Sequence, residues 1–236
     1  MARLTLPEFC QLIDHTNLHA FASGADIERL CREAIDHQFK TVAINPAQVL
    51  AAATLLDGSG VGISACISFP LGQDYREEKT DAARRALAHG ATEIDYVNNL
   101  TLIKDGAWDQ LRNEMAALAD VCHEHGAAVK VIFENCYLTD DEKLKLCEIA
   151  SEVKPDFVKT STGFGTGGAT LADVELMCRN IPDDVQVKAA GGIRTADDFL
   201  AYVTLGATRI GCSAGIPIIE ELSRRMAADS SSALEL

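Results

Sequence analysis

The sequence has little that would suit a membrane or a nucleic acid. No apolar run reaches the roughly 18 residues that cross a bilayer, and the first residues lack the apolar core of a signal peptide. Positive charge is scarce, since 21 lysines and arginines stand against 35 aspartates and glutamates, a net charge of −14. No basic run exceeds two residues, which disfavours nucleic acid and anionic lipid as partners. We therefore expect a cytoplasmic protein that acts on small molecules.

The spacings of common metal, redox and dinucleotide sites are also missing. The eight cysteines include no Cys-x-x-Cys pair, which argues against structural zinc and dithiol chemistry. His15 and His19 alone have i, i+4 spacing, and no carboxylate cluster completes a metal site there. No Gly-x-Gly-x-x-Gly follows the first predicted strand, so the pattern does not favour a Rossmann dinucleotide site.

Short apolar segments alternate regularly with amphipathic ones. The predicted strands are 13–15, 41–44, 61–69, 93–97 and 128–133, then one ending at Lys159, one carrying Lys188, and 208–211. Strict alternation predicts a parallel sheet, and eight units favour a closed barrel over an open doubly wound sheet. The length of 236 residues also fits one such barrel. We predict an α/β fold of one domain over residues 1–236, a (β/α)8 TIM barrel with a short N-terminal helix over 6–12 and a frayed tail over about 229–236.

Two lysines occupy equivalent places in successive units. Lys159 ends an apolar strand and precedes a loop rich in serine, threonine and glycine, and Lys188 repeats the arrangement one unit later. Neighbouring strands lie about 4.8 Å apart, so both ammonium groups would share one poorly solvated site. Like charge and desolvation lower the pKa of a lysine, and a neutral lysine can attack a carbonyl to form a Schiff base. Asp95 is predicted to point into the same site, although a purely structural ion-pair cluster is the alternative.

Other charged residues near this site have less certain roles from sequence. Lys130 and Glu134 share a face of the fifth strand and are predicted to support the site without taking part in the chemistry. Asp14 ends the first strand, where either helix capping or substrate contact is open.

An anion-binding cradle is predicted beside the lysines. The loops after strands seven and eight are the usual phosphate site of a barrel, because backbone N–H groups and a helix N-terminus meet there. The residues that we expect to bind substrate in this cradle and in the loop after Lys159 are Thr162, Gly163, Gly191, Gly192, Arg194, Gly211 and Ser213.

The motifs Lys-Thr-Ser-Thr-Gly at 159–163 and Lys-Ala-Ala-Gly-Gly at 188–192 resemble those of the deoxyribose-phosphate aldolases, a class I family with a barrel fold. Further matching segments are 12–18, 93–95, 129–134 and 209–211. The resemblance implies reversible cleavage of 2-deoxy-D-ribose 5-phosphate to acetaldehyde and D-glyceraldehyde 3-phosphate, in deoxyribonucleotide degradation, without a metal or other cofactor. It assigns Lys159 as the Schiff-base lysine, Lys188 as the lysine that lowers its pKa, and Asp95 as part of a proton relay. A homodimer or a homotetramer is the expected assembly.

The sequence departs from that family at a few positions. Ala214 stands where many members have a second serine, and Asn98, Asn99 and Asn135 differ from the commoner residues. The sequence printed here ends without the tyrosine to which proton transfer is attributed in some members. Two alternatives therefore stay open at this point, a Schiff-base aldolase of another phosphosugar and a catalytically silent barrel that only binds one. A turnover assay separates the last from the others.

Overall fold

Eight parallel strands close into a barrel in chain order, and the last of them, Arg209–Cys212, pairs back onto the first, Ile13–Thr16. The structure is a computed structural model that describes residues 3–229 and 231–235. The strands are β1 (Arg3–Thr5), β2 (Ile13–Thr16), β3 (Thr41–Ile44), β4 (Gly62–Ile67), β5 (Glu93–Val97), β6 (Ala128–Ile132), β7 (Phe157–Lys159), β8 (Gln186–Ala190), β9 (Arg209–Cys212) and β10 (Ala233–Glu235). The predicted barrel is confirmed.

Helices separate the barrel strands and cover the outside of the barrel. They are α1 (Leu6–Cys10), α2 (Gly24–His37), α3 (Val49–Leu55), α4 (Arg76–Ala88), α5 (Leu100–Lys104), α6 (Trp108–Glu124), α7 (Asp140–Val153), α8 (Leu171–Arg179), α9 (Ala196–Thr204) and α10 (Gly215–Ala228). Among the described residues, no helix combines the length and the apolar character needed to cross a membrane.

Local sequence signals explain where the longer helices begin and which face they bury. Ser23 caps α2 and forms a capping box with Asp26, which satisfies backbone N–H groups that have no partner within the helix. Ile27 and Leu30 then fall on one face and are buried in the core. Thr139 and Glu142 form a capping box at the start of α7.

Alternation along the barrel strands directs apolar side chains outward and polar ones inward. In β5, Ile94 belongs to the hydrophobic core, whereas Asp95 bonds to lysines of other barrel strands. In the β7–β8 register Lys159 pairs with Lys188, so the two side chains leave the sheet at the same level. The barrel interior therefore contains charged side chains, and the apolar side chains of the strands pack against the surrounding helices.

Two elements differ from the sequence-based expectation. The tail predicted to fray forms β10, which pairs antiparallel with β1 and sets Leu4 opposite Leu234. That prediction is wrong for 233–235, because both leucines pack against the hydrophobic core and hold the strands together; Ser230 and Leu236, also in the predicted tail, lie outside the described residues. The short helix α5 was not predicted, and Asn99 caps it by accepting from the backbone of Thr101 at 3.1 Å.

Candidate active site

The barrel interior contains a connected set of charged side chains, called here the interior network. Among the described residues it consists of three carboxylates and four cations, each buried: Asp14, Glu93, Asp95, Lys130, Lys159, Lys188 and Arg209. The seven residues lie on six different strands, because Glu93 and Asp95 share β5. The fold thus brings together groups that are as much as 195 positions apart in the chain.

Asp95 is the centre of the network. Its Oδ2 accepts hydrogen bonds from Lys159 Nζ and Lys188 Nζ, both at 2.8 Å. Its Oδ1 accepts from Lys130 Nζ and from the Ser64 hydroxyl, both at 2.6 Å. Burial alone would raise the pKa of Asp95, but the three surrounding lysines hold it well below its ordinary value. Asp95 is therefore a carboxylate that connects the lysines.

A second set of ion pairs, around Arg209 and Glu93, completes the interior network. Arg209 Nη1 donates to Asp14 Oδ1 at 2.8 Å and to Glu93 Oε2 at 2.9 Å. Lys130 Nζ lies 2.5 Å from Glu93 Oε2, and the Thr41 hydroxyl donates to Asp14 Oδ1 at 2.7 Å. Arg209 was not among the predicted site residues, and its inward position at the start of β9 was the available signal. The buried carboxylates are thus each paired with a cation, as their burial requires.

The two lysines that share Asp95 Oδ2 have pKa values that move in opposite directions. Burial lowers the pKa of Lys188 below its ordinary value, with help from the Lys159 charge and against the attraction of Asp14 and Asp95. Burial also opposes the charged form of Lys159, but the Asp95 charge raises its pKa overall. In the free protein the lowered pKa therefore belongs to Lys188, whereas the resemblance assigns it to Lys159.

Only one lysine of the pair reaches a cavity. The cavity, of about 290 Å³, opens at the carboxyl ends of the strands, and Lys159 lines it whereas Lys188 and Asp95 do not. Lys188 lies behind Gly211, where a Cβ atom would come within 3.0 Å of Lys188 Cε. The ring of Phe69 lies 5.9 Å from Lys159 Nζ. Lys159 is therefore the amine that can attack a bound carbonyl compound.

The predicted cradle lines the same cavity as Lys159. All seven residues predicted for the cradle and the loop after Lys159 are in its wall: Thr162, Gly163, Gly191, Gly192, Arg194, Gly211 and Ser213. Gly191 has φ +88°, a left-handed conformation that favours glycine. Gly168 packs against it so closely that a Cβ atom on Gly168 would lie 2.2 Å from the carbonyl oxygen of Gly191. The loops after β7 and β8 can therefore approach each other closely.

The charge of the cradle comes from an exposed arginine. Arg194 is exposed and forms no ion pair with any residue that the structure describes. Helix α10 begins at Gly215, two residues after Ser213, so its N-terminal N–H groups lie near the cavity wall. A guanidinium, a hydroxyl and glycine backbone together match the needs of a phosphate group.

The remaining predicted residues fall into two places. Asp14 is buried outside the cavity wall, where it bonds to Lys188, Arg209 and Thr41, and its contact with substrate stays a prediction. Glu134 accepts from the backbone N–H of Thr162 at 3.1 Å and from the Thr162 hydroxyl, and so fixes the loop after β7.

Sequence reasoning missed part of the cavity wall. Thr16 ends β2, and Leu18 and His19 lie in the loop after it; all three line the cavity that contains the cradle. Their place at or after the end of a barrel strand was the only local signal, because loops after all eight strands meet at this end of the barrel.

Known proteins resemble this chain over nearly its whole length. Residues 9–218 match the model of the DeoC/LacD family aldolases. This chain belongs to the DeoC/LacD aldolase family. It is 52% identical over 234 residues to a deoxyribose-phosphate aldolase of Lactobacillus acidophilus, which covers 99% of both chains. It is 50% identical to one of Bacteroides thetaiotaomicron, over 93% of this chain and 92% of the relative.

A solved structure of the family has the same fold. The deoxyribose-phosphate aldolase of Aeropyrum pernix, whose structure is described as a unique tetramer, superposes with a TM-score of 0.86 at 33% identity, over 92% of each chain. The family resemblance read from the lysine motifs is confirmed.

Proposed function

We propose that this family member is a deoxyribose-phosphate aldolase that reversibly cleaves 2-deoxy-D-ribose 5-phosphate into acetaldehyde and D-glyceraldehyde 3-phosphate. The observation that carries the proposal is one cavity whose wall contains both Lys159 and the predicted anion cradle. An aldehyde at one end of the substrate and a phosphate at the other would meet these two groups. The names of the relatives at about half identity support the same activity.

The first step is imine formation. The neutral amine of Lys159 attacks C1 of the open-chain sugar, and the carbinolamine loses water to give a protonated imine. Lys159 must lose its proton beforehand, and Asp95 Oδ2, which bonds to both amines, offers a path to Lys188. Burial lowers the pKa of Lys188, so this amine is neutral more readily than an ordinary lysine and has a free electron pair for that proton; the transfer is uphill, because the pKa of Lys159 is raised.

The second step breaks the bond between C2 and C3. A base removes the proton of the C3 hydroxyl, the electrons of the C2–C3 bond move toward the cationic imine, and D-glyceraldehyde 3-phosphate leaves. The product on Lys159 is a neutral enamine, so no free carbanion forms. Asp95 alone is a weak base because its pKa is low, so we assign proton transfer to Lys188 with Asp95 and a water. Protonation of C2 and hydrolysis then release acetaldehyde.

A catalytically silent binding barrel fits the site less well. Such a protein would need the cradle but no amine pair, and burying three lysines is costly unless the site uses them. Incubation with the phosphosugar and a coupled assay for acetaldehyde tests the choice. Acetaldehyde release at a rate that falls below detection in Lys159→Ala supports the enzyme, and stoichiometric binding without release supports the silent barrel.

We further propose that this single-domain chain works in the cytoplasm as a homo-oligomer, a homodimer or a homotetramer. The tetramer described for the Aeropyrum pernix relative supports an assembly of this kind. Sedimentation equilibrium measures the mass directly, and a monomer at micromolar concentration would contradict the proposal.

A further inference from the structure

The interior network has an unequal number of positive and negative groups. Within the described residues, four cationic side chains face three carboxylates inside the barrel. An uncompensated charge is costly to bury because the surrounding protein solvates it poorly. The interior is therefore closer to neutral when one cation gives up its proton.

Geometry decides which cations keep their protons. Arg209 contacts two carboxylates at 2.8 and 2.9 Å, and a guanidinium stays protonated in proteins. Lys130 lies 2.6 Å from Asp95, 2.5 Å from Glu93 and 3.7 Å from Asp14, so three carboxylates favour its charged form. The cation that gives up its proton is consequently one of the pair Lys159 and Lys188.

The other inward groups do not change this charge balance near neutral pH. Cys66 on β4 lies near Lys159, and burial raises the pKa of its thiol to about 11. Cys212 on β9 lies near Asp14 and Lys188, and burial raises the pKa of its thiol to about 12. Ser64 and Thr41 contribute hydroxyls only. His15, although on β2, bonds to Glu33 of α2 at 2.8 Å, so its partner is a helix on the outside of the barrel.

We propose that Arg209 and Glu93 set the pH at which the lysine pair becomes nucleophilic. This inference rests on the proposed function and deepens it. Neither residue lines the cavity, so both are positioning residues. Arg209 acts on the lysine pair through Asp14, and Glu93 acts on it through Lys130. Arg209 holds the excess positive charge that drives a proton off the pair, and Glu93 limits that excess.

Single charge changes should move the pH dependence of imine formation in opposite directions. Glu93→Gln increases the excess of positive charge, so the acidic limb of the profile, where the rate of imine formation rises with pH, should move to lower pH. Arg209→Met removes the excess, so the limb should move to higher pH. A unit charge separated from the pair by one hydrogen-bonded carboxylate, at an effective dielectric of about 20, shifts a pKa by about one to two units, and we expect pH shifts of that size. The double variant restores the original balance and should return close to the wild-type profile.

The assay is the initial rate of borohydride-trapped N-ethyl-lysine, formed with acetaldehyde and measured by intact mass between about pH 5 and pH 9. The matched control is Glu114→Gln, which removes a buried carboxylate paired with Lys79 at 2.8 Å on helices outside the barrel. It should lower stability and leave the pH profile unchanged. Arg209→Lys keeps the charge and should stay within about half a pH unit of wild type.

The outcomes separate this inference from the proposed function. Absence of trapped adduct in the wild-type protein would overturn the function itself. Normal trapping with an unmoved or upward-moving limb in Glu93→Gln would overturn the inference alone. Should Arg209→Met fail to fold, the sign of the Glu93→Gln shift still decides, because glutamine is nearly isosteric with glutamate.

Discussion

Removal of Lys188 should make Lys159 a poor nucleophile at neutral pH. Both Nζ atoms lie 2.8 Å from Asp95 Oδ2, so the two nitrogens are at most about 5.6 Å apart. At an effective dielectric of about 20, two unit charges at that distance repel by about 3 kcal/mol, or about two pKa units. Lys188→Met takes away this repulsion and the proton acceptor together, while Asp95 continues to favour the charged form of Lys159.

We expect the acidic limb of imine formation in Lys188→Met to move up by about two pH units, with roughly a hundredfold lower trapping rate at pH 7. The assay is borohydride trapping with acetaldehyde across pH, with circular dichroism as the check on folding. Lys79→Met is the matched control, because Lys79 is equally buried but pairs with Glu114 outside the barrel. An unmoved profile in Lys188→Met, or a limb at lower pH, would refute the electrostatic reasoning.

Three further predictions concern the cradle, acid stability and the tail. Arg194→Ala should reduce kcat/KM for the phosphorylated sugar by about 10- to 100-fold, which corresponds to the loss of one charge-assisted hydrogen bond. The kcat/KM for phosphate-free deoxyribose should stay nearly unchanged. Equal losses on both substrates would place phosphate recognition elsewhere. The neighbouring cations hold the pKa values of Asp14 and Asp95 in the folded protein below those in the unfolded chain. The two ion-paired carboxylates therefore stabilise the fold above about pH 4, and this stabilisation is lost as the pH falls, so urea titrations should show a steady loss of stability below that pH. Constant stability between pH 5 and pH 2 would contradict the pairing. Leu234→Ser should lower Tm by a few degrees without changing turnover, since Leu234 packs at the small sheet of β1 and β10; a loss of activity at full stability would instead give the tail a catalytic role.

The parts that sequence could predict are those that repeat or alternate locally. The regular βα alternation gives the barrel, and strand parity turns Asp95, Lys159 and Lys188 inward. Because loops after parallel strands share one end of the barrel, the sequence alone predicts that Gly191 and Arg194 lie near Lys159.

What sequence could not predict depends on distant partners. Arg209 reads as an isolated charge until the fold sets it against Asp14, 195 positions away. The direction of the pKa shift within the lysine pair depends on the sum of all charges in the barrel, so the motif around Lys159 carries no signal for it. The strand β10 is three residues long and takes its stability from β1, which gives it little pattern of its own.

Identification of the lysine that carries the imine tests the central claim most directly. The protein is incubated with acetaldehyde and borohydride, and the labelled peptide is mapped by mass spectrometry. We expect one N-ethyl group per chain, on Lys159, because it is the lysine of the pair that lines the cavity. A label on Lys188, on surface lysines only, or on no residue would contradict the assignment.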